Sequence, residues 1–226
     1  MISVIVPTMW RYAPFVNFYL NEIVKVPEVG EIIIINNDKS NTPPNPILRH
    51  EKVKVIDQEK NIFVNPAWNL GVEVSRNEKL CFLNDDAMVD LRLFSLMDNW
   101  LTDQIGAAGI VEYLEGIDQP PFRDGSIDLI LRTVENCYGF GVLFFIHKNN
   151  WIPIPLELEV AYGDVWVFES QLFLQKKPNY LISNVYFHHA GSITGNQLPR
   201  DGLTERFEKE SVAYRYHAHK TWGALL

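Results

Sequence analysis

Cysteine is scarce in this chain, and apolar runs of membrane length are missing. The 226 residues include two cysteines, Cys81 and Cys137, whose spacing matches neither a metal site nor a disulfide framework. We therefore expect two buried free thiols. The stretch MISVIVPTMW has no basic region and too short an apolar run for a signal peptide, and no other stretch approaches a membrane span. The sequence thus predicts no membrane span and a cytoplasmic location.

An excess of basic residues is missing as well. Lysine and arginine total 20 against 28 aspartates and glutamates, a formal net charge of −8. Proteins bind nucleic-acid backbones through clustered cationic side chains, so this balance counts against nucleic acid as a partner. Apolar residues make up 47% of the chain, which is enough for one sizeable core at this length. We expect one domain, residues 1–226.

The glycine-rich motifs that bind phosphates are also missing. No G-x-G-x-x-G follows the first predicted strand, and no G-x-x-x-x-G-K-[ST] occurs anywhere. The first absence counts against a dinucleotide-binding Rossmann site, and the second excludes a P-loop. Any phosphate group that binds here needs another partner.

Two kinds of apolar spacing alternate along the first half. Continuous runs predict strands, whereas helical spacing predicts helices that begin near Pro14, at Pro66 with Asn65 as N-cap, and at Asp90. The predicted strands are 2–6, 32–35, 53–56, 79–83 and 106–111. Strands that are apolar throughout are covered on both faces of their sheet. We therefore predict an α/β fold with a mostly parallel, doubly wound sheet.

The second half is less regular. It contains a predicted strand at 139–146, a helix in YGDVWVFESQLFLQ, a last strand in YLISNVYF and a terminal helix around 205–217. The stretch 113–128 has adjacent prolines and several acids, so we expect a surface excursion there. Residues 191–200 are expected to form a loop.

Polar side chains follow three of the predicted strands. The first strand ends in PTMWR, the second in NND, and the fourth in NDD, which is Asn84, Asp85 and Asp86. Ligands of open parallel sheets bind at the carboxyl ends of the strands. Adjacent carboxylates can hold a hard cation together with diphosphate oxygens, so a metal and nucleotide site is our hypothesis. The alternative is that Asp85, Asp86 or Asp90 only caps the next helix.

At these residues the chain resembles a known family. ISVIVPTMWR, EIIIINND and NIFVNPAWNLGVEVSRNEKLCFLNDD resemble the nucleotide-binding half of GT-A-fold glycosyltransferases, in the large inverting family that includes bacterial rhamnosyltransferases and polysaccharide synthases. The match covers about the first 90 residues. It implies a single GT-A domain with a nucleotide-binding half, 1–90, and an acceptor-side half, 91–226, in which the sheet becomes mixed.

The resemblance also implies roles for individual residues. In NDD, which corresponds to the family's DXD motif, Asp86 would ligate Mn2+ or Mg2+ and Asp85 would lie near the ribose or donor sugar. Asn84 replaces the first acid of that motif. The other positions expected to line the sugar nucleotide are Thr8, Trp10, Arg11, Asp38, which would contact base or ribose, Asn61 and Asn65.

Two further positions resemble the family more loosely. YGDVWVF lies where these enzymes carry an acidic pair that supplies the catalytic base, which makes Asp164 the candidate, with Gly163 in place of the other acid. The alternative is that Asp164 only offsets a helix dipole. In YFHHAGSITG, strand alternation lets one histidine face the site, and His188 fits a metal or diphosphate contact better than His189. The alternative is a histidine pair without a ligand.

The sequence therefore predicts a metal-dependent, inverting glycosyltransferase. Its donor would be a nucleoside-diphosphate sugar, with a UDP-sugar favoured, and its acceptor a hydroxyl of a glycan or another molecule. One alternative is a carbohydrate- or nucleotide-binding protein that kept the fold without the activity. Another is a DNA-modifying phage glycosyltransferase, against which the net charge counts. A sugar-1-phosphate nucleotidyltransferase would need a glycine-rich, arginine-containing signature that VPTMWRYAP lacks.

Overall fold

A computed structural model of the chain describes residues 1–111, 130–134, 137–191 and 200–223. The predicted surface excursion at 113–128 and most of the predicted loop at 191–200 lie outside these residues. Within them, no helix combines the length and the apolar character that crossing a bilayer requires. Cys81 and Cys137 are both buried free thiols, as expected.

The strands form one large sheet and one small one. They are β1 (Ile2–Thr8), β2 (Val29–Asn36), β3 (Val53–Asp57), β4 (Lys79–Leu83), β5 (Ala87–Val89), β6 (Ala107–Ile110), β7 (Ile130–Val134), β8 (Leu143–His147), β9 (Asn179–Ser183) and β10 (Phe187–His189). The large sheet has the order β3-β2-β1-β4-β8-β6-β9-β7, and β5 pairs with β10. The neighbours from β3 to β4 are parallel, whereas β8 and β7 run against their neighbours. The predicted mostly parallel sheet with a mixed second half is confirmed.

Besides short 3-10 turns, the described residues form five helical segments. They are α1 (π-helical Phe15–Tyr19 continued by Leu20–Ile23), α2 (Val64–Val74), α3 (Arg92–Trp100), α4 (Gly163–Ser170, continued by a π-helical turn, Gln171–Gln175) and α5 (Arg200–Trp222). The π-helical start of α1 is wider than an α-helical turn. As a result Phe15 and Tyr19 are buried while Phe18, which α-helical spacing groups with them, is 69% exposed.

Alternate residues of the central strands pack on opposite faces of the sheet. Val4 and Val6 of β1 lie in a core with α1 and α3, and Ile5 lies in a second core with α2 and α4. A Cβ atom on Gly71 of α2 would approach the Ile5 Cγ2 atom to 2.3 Å, so the helix packs against β1 at a distance that only glycine allows. The prediction of a sheet covered on both faces is confirmed.

Several predicted boundaries shift in the structure. Helix α2 begins at Val64, after Phe63, whose φ is positive (65°), so Asn65 is inside the first turn and is not the cap. Asp90 does cap the start of α3, because its Oδ1 accepts a hydrogen bond from the Arg92 amide at 2.9 Å. The single last strand predicted in YLISNVYF is divided into β9 and β10 by a turn at Asn184 (φ 63°).

A buried carboxylate ties the amino ends of β1 and β2 to the end of α2. Glu31 is 2% exposed and accepts hydrogen bonds from the Ser3 hydroxyl (2.6 Å), the Arg76 amide (2.6 Å) and Arg76 Nε (2.9 Å). Burial raises the pKa of Glu31, but these hydrogen bonds outweigh it, so that the pKa lies below its ordinary value. The ionised carboxylate is therefore the form that stabilises this end of the sheet.

We predict that Glu31→Gln lowers the free energy of unfolding at pH 7 by about 1–3 kcal/mol, because a buried hydrogen-bonded charge is lost. A depressed carboxyl pKa contributes stability above the unfolded-state value, which is 4.5, and that contribution disappears as pH falls through the folded-state value. The difference between wild type and variant should thus shrink below pH 4.5 in urea unfolding at a series of pH values. Glu73→Gln, on the exposed side of α2, is the control. A pH-independent difference would contradict the role given to Glu31.

Candidate functional site

The carboxyl ends of three parallel strands meet at one edge of the large sheet. β1 lies between β2 and β4, and its last residue, Thr8, pairs with Asn36 at the end of β2. The acidic turn, residues 84–86, follows the end of β4 on the other side. The sheet order therefore brings the three polar strand ends of the sequence together, as we expected from a parallel sheet.

Hydrogen bonds join these strand ends directly. The Thr8 hydroxyl donates to Asp85 Oδ2 and accepts from the Trp10 amide at 2.8 Å. Trp10 has a left-handed backbone (φ 59°), and its indole N–H donates to Asn36 Oδ1 at 2.7 Å. Thr8, Trp10 and Asp85, which the sequence placed along the nucleotide, are thus neighbours in the structure.

Asn36 is a member of this cluster that the sequence analysis did not single out. Its side chain is fully buried, and its amide group donates to Asp57 Oδ1 and Thr42 Oγ1, each at 2.7 Å. Its Oδ1 also accepts from the Asp38 amide at 3.1 Å. An asparagine at the last position of an otherwise apolar strand was the available signal. Asn36 links the ends of β2 and β3 to Trp10.

Asp38 and Arg11 lie at the solvent side of the same edge. Asp38 accepts hydrogen bonds from the Ser40 hydroxyl at 2.6 Å and the Asn41 side chain at 2.7 Å. These two bonds lower the pKa of Asp38, and the nearby charge of Arg11, which is exposed, acts in the same direction. Asp38 is therefore an ionised acceptor at the outer end of β2.

Burial and a neighbouring like charge destabilise the ionised form of Asp85 in the acidic turn. Burial raises the pKa of Asp85 to about 6, the hydrogen bond from Thr8 opposes this rise, and the neighbouring charge of Asp86 adds to it. Asn84 is half-buried beside them, and its backbone N–H donates to the Val142 carbonyl at 3.0 Å. Two adjacent carboxyl groups removed from water favour either a proton or a bound cation.

The histidine beside the acidic turn is His189. Its Nε2 lies 3.1 Å from Asp86 Oδ1, and both side chains are almost fully buried. The β5–β10 register explains the contact, because it pairs His189 with Ala87, next to Asp86, and pairs His188 with Met88. His188 is exposed. Of the two histidines, His189 contacts Asp86, and the predicted His188 does not.

The residues at the acidic turn fit a cation that is shared with a bound phosphate. Among the described residues, no group of three or more histidine, cysteine, aspartate or glutamate side chains is arranged to hold a metal alone. Asp86 and His189 offer two donor groups side by side. Mg2+ and similar cations at nucleotide sites use one or two carboxylates, with phosphate oxygens and water as the other ligands. The donor set thus suits a nucleotide-bridging cation and not a closed protein cage.

Asn61 lies three residues before α2, and Asn65 is the second residue of that helix. Asn61 Oδ1 accepts from the Phe63 amide at 2.8 Å and so shapes the turn before the helix. Asn65 is 1% exposed, and its side chain donates to the Ala161 carbonyl at 3.0 Å. A Cβ atom on Gly163 would lie 2.0 Å from Asn65 Oδ1. The structure therefore places Asn65 against the backbone that precedes Asp164.

Asp164 lies in the first turn of α4. Its Oδ2 accepts from the Phe140 amide at 2.8 Å, and Phe140 lies two residues before Val142, which binds the acidic turn. Burial raises the pKa of Asp164 more than the backbone hydrogen bonds from Val165 and Phe140 lower it. The helix dipole and these amide donors favour the ionised carboxylate, and burial outweighs them. A carboxyl group with a raised pKa at this edge is a candidate for proton transfer.

Comparisons with known proteins identify the family and the fold. The model of the family described as Glycosyl transferase family 2 matches residues 3–151, more than half of the chain. That range includes β1 from its second residue onward, the acidic turn and β8. No curated protein matches the chain in sequence.

Solved structures of glycosyltransferases share the fold. Residues 1–349 of Staphylococcus aureus TarS superpose with a TM-score of 0.58 at 14% identity, covering 99% of this chain and 75% of that one. The same TarS region in complex with UDP-GlcNAc gives 0.56 at 12% identity, covering 91% and 64%. GalNAc-T7 with UDP, GalNAc and Mn2+ gives 0.55 at 11% identity, covering 84% of this chain and 43% of that one. This chain thus spans less than half the length of GalNAc-T7.

At these identities the solved structures establish the fold, which is GT-A. The chain belongs to glycosyl transferase family 2.

Proposed function

We propose that this protein transfers a sugar from a nucleoside-diphosphate sugar to a hydroxyl group, with inversion at the anomeric carbon and with help from a divalent cation. The observation that carries the proposal is the chain of contacts that connects the acidic turn to Asp164 through residues 140–142. It joins a cation-binding donor set and a protonatable carboxylate at one edge of the sheet. In this proposal residues 1–90 bind the nucleotide and residues 91–226 form the acceptor side.

The proposed class of sugar donor follows from the side chains at the carboxyl ends of β1 and β2. Thr8 ends β1, Trp10 and Arg11 follow it, and Asp38 lies two residues after β2. A nucleoside laid across these strand ends would meet hydrogen-bonding groups and an aromatic ring. UDP is the preferred nucleotide because both TarS and GalNAc-T7 have been solved with UDP or a UDP-sugar. The acceptor is a hydroxyl of a glycan or a similar molecule.

Mn2+ or Mg2+ bound at Asp86 and His189 would neutralise the charge of the departing diphosphate. GalNAc-T7, a structural neighbour, was solved with Mn2+. Asp85 would be kept ionised by the same positive charge, while its hydrogen bond from Thr8 holds it toward β1. These residues bind and orient the donor and do not transfer protons in the reaction.

Asp164 supplies the proton acceptor. Its carboxylate would remove the proton from the acceptor hydroxyl as the hydroxyl oxygen bonds to the anomeric carbon and the bond from that carbon to the diphosphate breaks. One such displacement inverts the anomeric configuration. The second acid that family members carry beside the base is absent here, because Gly163 stands in that place and Asn65 fills the space next to it.

We predict that Asp164→Asn lowers kcat for sugar transfer by about 100- to 10,000-fold, the usual contribution of a general base. UDP affinity should be retained, because Asp164 lies on the acceptor side. Asp164 must be ionised to accept a proton, and its pKa is raised above the ordinary aspartate value of 3.8. As the pH is lowered, kcat of the wild type should therefore begin to fall at a pH above 3.8. The measurement is UDP release from a panel of UDP-sugars with glycan acceptors at several pH values.

The matched control for that experiment is Asp103→Asn. Asp103 lies in the turn before β6, at the opposite end of the sheet, and the variant should behave as wild type. If Asp164→Asn still transfers sugar at the wild-type rate, another residue must be the catalytic base. Binding of UDP without any transfer by the wild type would favour a non-catalytic, nucleotide-binding protein.

We also predict that Asp86→Ala abolishes the Mn2+ dependence of UDP binding, because the central carboxylate of the cation site is lost. His189→Ala should weaken Mn2+-dependent binding by about 10- to 100-fold, in the range for groups that ligate or orient ligands. His188→Ala is the control, since that side chain is exposed, and should change nothing. Calorimetric titration with UDP, GDP, CDP and TDP, with Mn2+ and again with EDTA, measures these effects. Equal UDP affinity of Asp86→Ala and wild type in Mn2+ would remove Asp86 from the site.

A further inference from the structure

Helix α5 carries an acidic side chain into the interior of the protein. Glu210 is 1% exposed, although α5 is otherwise rich in exposed charged residues. A buried carboxylate is costly unless it is hydrogen-bonded. Glu210 accepts hydrogen bonds from the amide of Val160, at 3.0 and 3.2 Å, and from the amide of Ala161, at 2.6 Å. Its partners are thus backbone groups of one short loop.

That loop, residues 157–162, leads directly into α4 and is called the α4 loop below. It is also held from the side of α2, because the Asn65 amide donates to the Glu159 carbonyl at 3.1 Å. The Arg206 guanidinium of α5 pairs with the Glu159 carboxylate and lies 4.2 Å from the centre of the Phe63 ring. The α4 loop is therefore clamped between α5 and the start of α2.

The clamp fixes the direction in which α4 begins. Tyr162, the last residue of the α4 loop, has a left-handed backbone (φ 59°), and its ring stacks on Tyr214 of α5 with centroids 5.1 Å apart. Gly163 follows, packed against Asn65 so closely that no side chain fits. Asp164 comes next. Its position relative to Phe140 therefore depends on where the two amides held by Glu210 lie.

We propose that Glu210 is a positioning residue for Asp164, and this inference rests on the proposed function of Asp164 as the base. Charge-assisted hydrogen bonds to two consecutive amides are strong and directional, which suits a group that must hold a loop in one place. Oε2 accepts from both amides and Oε1 accepts a second contact from Val160, so glutamine would remove the charge from both bonds and place an NH2 group against the Val160 amide in place of Oε1. Misplacement of a catalytic group by about 1 Å can cost about 100-fold in rate.

Amide hydrogen exchange tests the clamp without any need for activity. In Glu210→Gln, exchange should accelerate at Val160 and Ala161, whose acceptor is altered, and also at Phe140, whose amide donates to the Asp164 carboxylate. Glu208→Gln, an exposed position on the same helix, is the matched control and should leave all three unchanged. Unchanged exchange at Phe140 in Glu210→Gln would overturn the proposal, because Asp164 would then be held independently of Glu210.

Steady-state kinetics test the same proposal from the side of function. Glu210→Gln should lower kcat about 10- to 100-fold while the KM for the UDP-sugar stays within about twofold, because the donor edge is untouched. Glu210→Asp, which keeps the charge, should recover part of the lost kcat. Glu31→Gln serves as a destabilised control at the far end of the sheet, and its kcat per folded molecule should equal that of wild type.

Hydrogen exchange and kinetics together distinguish failure of the positioning role of Glu210 from failure of the proposed sugar transfer. A kcat of Glu210→Gln equal to that of Glu31→Gln, or a rise in KM without a fall in kcat, would overturn the positioning role. If the wild type transfers no sugar from any donor tested, the proposed function fails. The exchange rates at Phe140 then decide alone whether Glu210 places Asp164.

Discussion

The hydrogen bond from the Thr8 hydroxyl to the Asp85 carboxylate joins the two strands on which the site depends. It closes the ends of β1 and β4 against each other, and β1 also pairs with β2, so all three strand ends share one edge. The apolar interior of the strands makes this arrangement rigid, because both faces of the sheet are covered by helices. The polar groups are thereby held in place at the boundary of the core.

The charge at this edge explains why a cation belongs to the proposed chemistry. The protein has a net charge of −8, and the edge itself presents Asp85 and Asp86 with the pKa of Asp85 raised by burial. A diphosphate brought to these carboxylates would be repelled. In the proposed function, a divalent cation at Asp86 and His189 would reverse the sign of the field where the diphosphate would bind. The acidic turn and the proposed cation would then bind the diphosphate together.

Local sequence patterns predicted the sheet well and the long-range contacts poorly. The runs at 32–35 and 80–83 are apolar throughout, so their burial and the polar residues at their ends could be inferred directly. The choice between His188 and His189 needed the β5–β10 register, which no pattern within the strand reveals. Asn65 resembled a helix cap because its partner, Ala161, is distant in the chain. Glu210 looked like one more charge on a polar helix for the same reason.

The most direct test is a crystal structure of the wild-type protein with UDP and Mn2+, in which anomalous scattering locates the manganese. The account predicts a manganese peak beside the Asp86 carboxylate and His189, with the diphosphate of UDP next to it and the uridine lying over the ends of β1 and β2. Manganese and UDP bound away from the acidic turn, or UDP bound at the edge with no manganese at Asp86, would contradict it.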